Sequence, residues 1–522
     1  MTIQRAVFIA TTTASRLYSV RDMSDDEPTQ TKPDHEPPRG AACTQTWNEI
    51  EYTATAKWLV LRKKEKPSAE IFSVSYVADI ADLERPVTFV FNGGPGASSA
   101  YLHVGAVGPQ RVDFPSDGTL PPMPPRLVQN DESWLAFTDL VFVDPVGTGF
   151  SRIIEKDEKK NDGDRKKDDD KKGDEPDPKE YFGYKRDLES LSEFIGRWLS
   201  SHGRWGSPVF IAGESYGGYR VGRLVRILQE TAGVGLNGAI LISPALEIST
   251  LTGGDYDVVS WVDVLPTMAG AAAHHGRSRA FDRGTSLEDV QREAEAFATS
   301  DYTAFLTRGA AMAAEERDRI LTRLADLIGL PVDMVTRAEG RIPNTVFARE
   351  LLRDERKVLG LYDATITVTD PFPDRESFSG PDPTLSGIGP AYTTAINRQL
   401  RSEIGVETDR EYTLLSYEVN QEWKDDDKRH FFVPPEGATD DFRYGMSLNP
   451  HLRAFITHGR FDLVTPYYAS DRLRNLMRLD PAMAGRLTVR HFGGGHMFYA
   501  WEESRRAFTA AIAQFVADAT AR

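Results

Sequence analysis

The sequence predicts an α/β domain with a mostly parallel central sheet flanked by helices, interrupted by a large, mainly helical cap insertion. Three observations carry this expectation. Short, predominantly apolar runs at 86–91, 139–143, 208–212 and 238–243 alternate with helical patterns, as strands buried on both sheet faces do. Between about 248 and 448 the alternation stops and helical spacing dominates. It resumes with 453–457 and 487–491, and an amphipathic stretch at 501–518 closes the chain.

Taken in order, residues 1–51 read as a disordered tail. The first 22 carry Arg5, Arg16 and Arg21 with no acid before Asp22, and Met23 offers a second plausible start. The apolar run 7–10 is too short for a secretory signal, and 23–40 is rich in proline and charge. The first part of the core is expected over 52–247. It opens with an antiparallel hairpin of 57–62 and 71–77, and it contains a helix over 185–200 with Leu188, Leu191, Ile195, Trp198 and Leu199 on one face. Residues 155–180 hold charges of both signs and no large apolar side chain, the mark of an unstructured insertion. The cap, 248–448, shows helical patterns at 287–299, 310–328, 346–359 and 389–403, separated by proline- and aspartate-rich loops such as 370–384. The second part of the core is 449–522.

Composition narrows the function. With 522 residues the chain can hold one large domain with insertions, or two domains. A net charge of −16 argues against non-specific nucleic-acid binding, because a phosphate backbone would be repelled. No stretch approaches the roughly 18 apolar residues that span a bilayer. The single cysteine, Cys43, excludes an internal disulfide and a thiolate metal cluster. No metal and no cofactor is expected, the oligomeric state is not legible, and a cytoplasmic location is favoured, with export left open.

The chemistry starts at Gly213-Glu214-Ser215-Tyr216-Gly217. This G-x-S-x-G follows an apolar strand and precedes a helical pattern, the context of a nucleophile elbow. A serine nucleophile needs a base and an acid that orients the base, and in this architecture they follow in the order Ser, Asp/Glu, His. Asp462 follows strand 453–457, and His496 lies in a glycine-rich loop after strand 487–491. Both therefore stand at the carboxyl ends of strands, where sites form in open α/β sheets. Read singly, His496 is equally a surface-loop histidine and Asp462 a turn residue or cap. Order and context together favour a triad. An oxyanion hole needs N–H donors: Tyr216 supplies one, and the turn Asn92-Gly93-Gly94-Pro95-Gly96 is the place for a second. No G-K-[ST] follows that turn, so a phosphate-cradling loop is a poor reading of it. Tyr499 and Trp501 read equally as pocket lining or as packing of the closing helix.

The blocks FNGGPGASSAYLHVGAVGP (91–109), SWLAFTDLVFVDPVGTGFS (133–151), AGESYGG (212–218), HGRFDLVTP (458–466) and GGGHMFY (493–499) together resemble the serine carboxypeptidase family, in the family's order and over about 52–520. The cap resembles that of bacterial members more loosely. The resemblance implies an α/β-hydrolase fold with Ser215 as nucleophile, His496 as base and Asp462 as its partner. It also implies an oxyanion hole from the N–H groups of Gly94 and Tyr216. Asn92, Gly93 and Glu214 match three positions that hold the terminal carboxylate of a peptide substrate. The fourth, a second glutamate, is Ala106 here; the family's Trp before the turn is Val90, and its Cys after the turn is Ala97. The expectation is a serine-type carboxypeptidase acting on peptides. The alternative that Ala106 keeps open is an esterase or acyltransferase using the same triad on a non-peptide acyl substrate. A non-catalytic binding protein on the same scaffold fits less well, since all three triad members are present.

Overall fold

Nine strands lie in a row across the main sheet: β1 (Ala41–Trp47), β2 (Ile50–Lys63), β3 (Lys66–Ala78), β4 (Val87–Phe91), β5 (Asp139–Val143), β6 (Val209–Glu214), β7 (Gly238–Ile242), β8 (Arg453–Thr457) and β9 (Leu487–Val489). They come from a computed structural model that describes residues 34–154, 178–424 and 437–521 apart from positions 81, 83 and 379, with a compact unit from Pro37 onward. Their order is β1-β2-β3-β5-β4-β6-β7-β8-β9, and the two-residue strand Arg152–Ile153 pairs beside β3. From β5 to β9 all neighbours are parallel, whereas β1, β2, β3 and β5 pair antiparallel. The sheet is mixed and mostly parallel, as the apolar runs predict.

Successive side chains of the central strands enter opposite layers. Phe89 and Phe91 of β4 join one core and Val90 the other, which is why these strands read as continuous apolar runs rather than as alternation. Helices α1 (Tyr184–Ser201) and α2 (Tyr216–Glu230) cover one face through Leu188, Leu191, Ile195, Trp198, Leu224 and Leu228. The closing helix α3 (Glu502–Thr520) covers the other through Phe508, Ile512, Phe515 and Val516.

Several boundaries differ from the sequence reading. Residues 1–33 of the expected tail lie outside the described residues, but 41–47 is strand β1. Its alternate residues Ala42, Thr44 and Thr46 face solvent at the sheet edge, so a short polar strand reads as solvated chain. Two-residue turns with left-handed backbone join the first three strands, Asn48-Glu49 and Lys64-Glu65. Lys64-Glu65 lacks the glycine signal of such turns, so the sequence suggested a wider connection. Residues 155–177 of the charged insertion lie outside the described residues, and 178–181 forms a 3-10 turn. The helix expected over 346–359 is Asn344–Glu350. After Arg356 takes a left-handed φ of 56°, Lys357–Leu359 pairs as a strand with Thr367–Thr369. Leu351, Leu352, Val358 and Leu359 are all buried, and their helical spacing is coincidental.

The segment 248–448 feeds three cores. Residues between Trp261 and Ala364 build one of their own, joined by Phe461 and Leu463 on either side of Asp462. Its helix Val259–His274 is apolar on most of its surface and contains Pro266, so it shows no period to read. The helix Pro383–Asn397 instead gives Ile388, Tyr392 and Ile396 to the sheet layer beneath α3. Thr439–Leu448 gives Phe442 and Met446 to the layer of α1 and α2.

Candidate active site

Ser215 stands between the end of β6 and the first turn of α2 with φ 62° and ψ −123°. A side chain rarely adopts this conformation, and its cost is on the order of 1–3 kcal/mol. The surroundings hold it. The Ser215 N–H donates to Ile242 O at 2.9 Å, and its carbonyl accepts from the N–H groups of Gly218 and Ala245 at 2.8 and 3.1 Å. The flanking glycines follow from space: a Cβ at 213 would lie 2.1 Å from Gly217 O, and one at 217 would lie 2.6 Å from Phe91 O.

His496 Nδ1 lies 2.6 Å from Asp462 Oδ2. Asp462 is fully buried, and its other oxygen accepts from the N–H groups of Val464 and Thr465 at 2.8 and 3.0 Å. Thr465 Oγ1 donates to Asp462 Oδ2 at 2.6 Å, so the carboxylate is anchored on both sides. Burial by itself lowers the pKa of the His496 imidazole, but the adjacent Asp462 carboxylate and their hydrogen bond outweigh it, and the net shift is upward.

Six of the sequence-predicted residues, Asn92, Gly93, Gly94, Glu214, Ser215 and His496, line one open cleft. The other two lie behind it: Asp462 supports His496, and Tyr216 is the first residue of α2. A helix-opening N–H has no intrahelical acceptor. The glycine turn comes so close that a Cβ on Gly93 would lie 2.4 Å from Tyr216 N. Gly94 follows with φ 99°, and the Gly94–Pro95 peptide is cis. Buried Arg220 braces the turn from beneath, donating to Asn92 O at 2.7 Å while paired with Asp187 at 2.8 Å.

Glu214 is buried at the cleft floor. Asn92 Nδ2 donates to its Oε2 at 2.5 Å, and Tyr499 Oη donates to Oε2 at 2.9 Å and to Oε1 at 3.1 Å. Burial pushes its carboxyl up to about 7, against the pull of His496 and of the bonds from Tyr499 and Asn92. A carboxyl there is partly protonated near neutrality and can donate to an anion. The cleft thus brings together a serine hydroxyl, an imidazole held by a buried carboxylate, N–H groups at a helix start and a protonatable carboxyl.

Several contributors have no motif of their own. Tyr362, Leu385 and Leu415, from the long insertion, line the cleft with Tyr101 and Met497. The Tyr362 ring stands edge-on to His496 with centroids 5.1 Å apart, and Asp363 accepts the Gly495 N–H at 2.9 Å. These residues lie over a hundred positions from their partners, and no spacing rule signals them. Tyr499 was visible next to His496 but not distinguishable from packing.

A family model described as serine carboxypeptidase matches residues 58–256. Serine carboxypeptidase-like 5 of Arabidopsis thaliana is 27% identical over 194 residues, covering 35% of this chain and 38% of its own. Pheromone-processing carboxypeptidase KEX1 of Saccharomyces cerevisiae (strain ATCC 204508 / S288c) is 40% identical over 143 residues, covering 26% of this chain and 16% of its own. The chain therefore spans well under half the length of these curated relatives. The crystal structure of a prohormone-processing carboxypeptidase from Saccharomyces cerevisiae superposes with a TM-score of 0.52 at 15% identity, covering 90% of this chain and 92% of the other, a likeness of fold.

Proposed function

We propose that the chain is a serine-type carboxypeptidase, releasing C-terminal residues from peptides through an acyl-enzyme on Ser215, a reading supported by its similarity to serine carboxypeptidases over residues 58–256. The observation that carries this reading is the cleft itself, which Ser215, His496 and the buried carboxyl of Glu214, with its raised pKa, line together.

In this mechanism His496 takes the Ser215 proton as Oγ attacks the scissile carbonyl, and Asp462 orients the imidazole and stabilises its charged form. The N–H groups of Gly94 and Tyr216 receive the oxyanion, aided by the positive end of α2. His496 then protonates the leaving amine, and a water activated by the same imidazole releases the acyl group. Asn92, Gly93 and protonated Glu214 hold the substrate's terminal carboxylate. Tyr362, Leu385 and Leu415 bring the insertion to the substrate as a cap. Cys43 is the single cysteine, so the chain forms no internal disulfide, and among the described residues no helix is long and apolar enough to cross a membrane.

Mass spectrometry of a peptide panel with free and amidated C termini tests the reading. Stepwise loss of single residues from free termini alone supports it. Cleavage of esters with no action on peptides replaces it with the esterase reading that Ala106 keeps open.

A further inference from the structure

The resemblance to serine carboxypeptidases implies a carboxylate site with two carboxyl groups, and at the two matching positions this chain has Glu214 and Ala106. Ala106 is buried in the packed layer that also holds Tyr101, Tyr392 and Tyr499. Tyr392 presses on the neighbouring residue: a Cβ on Gly105 would lie 2.5 Å from its hydroxyl oxygen. Tyrosines, rather than a second acid, therefore crowd the surroundings of Glu214. One of them is bonded to it. Tyr499 is fully buried, three residues after His496, and its hydroxyl reaches both Glu214 oxygens, at 2.9 and 3.1 Å.

We propose that the Tyr499 hydroxyl stands in for the absent carboxyl, as the positioning residue that holds Glu214 and sets the pH range over which it binds a peptide's terminal carboxylate. This rests on the carboxypeptidase reading given above. A paired acid serves as a donor only while it is protonated. A phenol buried among apolar groups and facing a carboxyl keeps its proton throughout the range in which the enzyme works, and its pKa lies well above the ordinary tyrosine value. Tyr499 therefore donates to Glu214 at every relevant pH and favours its ionised form. Asn92 also donates to Glu214, and among the described residues the other charged and titratable groups that act on it are His496, Asp462, Tyr101, Tyr362 and Tyr392.

The decisive variant is Tyr499→Phe, which keeps the ring and removes one donor. Without that donor the ionised carboxyl is less favoured, so Glu214 holds its proton to higher pH. The alkaline limb of kcat/KM for free-terminus peptides is expected to move up by about one unit, with a raised KM. The limb for an ester substrate without a carboxylate stays in place. A Tyr499 of structural importance alone would lower activity on both substrates with no movement of the limb, and that result overturns the proposal. Infrared difference titration of the Glu214 carboxyl, with Glu214→Gln to identify its band, follows the same shift without turnover. An unshifted band rejects the role of Tyr499. An upward shift in a protein that leaves free-terminus peptides uncut supports the Tyr499–Glu214 coupling and rejects the carboxypeptidase reading instead.

Discussion

The Tyr362 carbonyl accepts the backbone N–H of His496, so the insertion is bonded to the peptide group of the candidate base. The same short segment reaches the other loop of the triad. Leu361 O accepts from Leu463 N–H and Phe461 O accepts from Ala364 N–H, each at 3.0 Å, while the Asp363 carboxylate takes the Gly495 N–H at 2.9 Å. Residues 361–364 are thus laced between the loops of Asp462 and His496. Gly495 is required by this lacing, since a Cβ there would lie 2.1 Å from Tyr362 O.

The lacing predicts that Asp363→Ala damages catalysis although Asp363 does not line the cleft. The Gly495 N–H loses its acceptor in a buried place, at a cost of about 1–3 kcal/mol. The expected outcome is a lower melting temperature together with a kcat reduced about tenfold or more, because a small misplacement of the base is enough for that. Calorimetry and steady-state kinetics on one preparation check both.

Ser215 gives two opposed outcomes. Ser215→Ala removes the proposed nucleophile and keeps the strained backbone, so hydrolysis is expected to fall by at least about 10⁴-fold with stability little changed. Ser215→Gly also abolishes activity, but glycine adopts φ 62° without penalty. A gain of about 1 kcal/mol in denaturant unfolding is expected for it relative to Ser215→Ala.

Gly93→Ala tests the contact between the glycine turn and the start of α2. A methyl group 2.4 Å from Tyr216 N forces the two backbones apart. Loss of one oxyanion donor costs about 10²–10³ in kcat. A kcat within a factor of two of wild type, with unaltered stability, would show that Gly93 does not set this approach.

Glu214 makes folding stability depend on pH. Its pKa rises from 4.5 in the unfolded chain to about 7 in the folded protein, chiefly through burial. The folded state therefore binds the proton more tightly, and stability falls as pH rises through this window, levelling off above it. Glu214→Gln removes the ionisation and with it this part of the slope. At pH 8 the variant is expected to be the more stable by a few kcal/mol at most, an order-of-magnitude figure. Urea unfolding at pH 5 and pH 8 measures the difference, and it has the opposite sign to that of a carboxylate held by a salt bridge.

Legibility followed sequence distance. The central strands β4 to β8 were readable because each is a short apolar run bounded by turn residues. Ser215, Asp462 and His496 stand out in the sequence because each sits at a strand end in a short, glycine-containing loop. Strand β1 is hidden in the sequence because three of its seven residues face water. The helix Val259–His274 was missed because burial on most sides erases its period. The roles of Tyr362, Asp363 and Tyr392 had no local signal at all.

By itself the sequence determined the mostly parallel character of the sheet, the small residues that permit a sharp turn at Ser215, and the alanine at position 106. These are local properties: side-chain period, the space that glycine leaves, and the identity of a residue within a motif. What surrounds Glu214 was decided by the tertiary structure. Only folding brings Tyr499, 285 residues away, within hydrogen-bonding distance of it, and burial there raises the pKa of a carboxyl that has an ordinary value in the unfolded chain. Desolvation and long-range hydrogen bonding depend on which surfaces meet, and that is settled when the chain closes on itself.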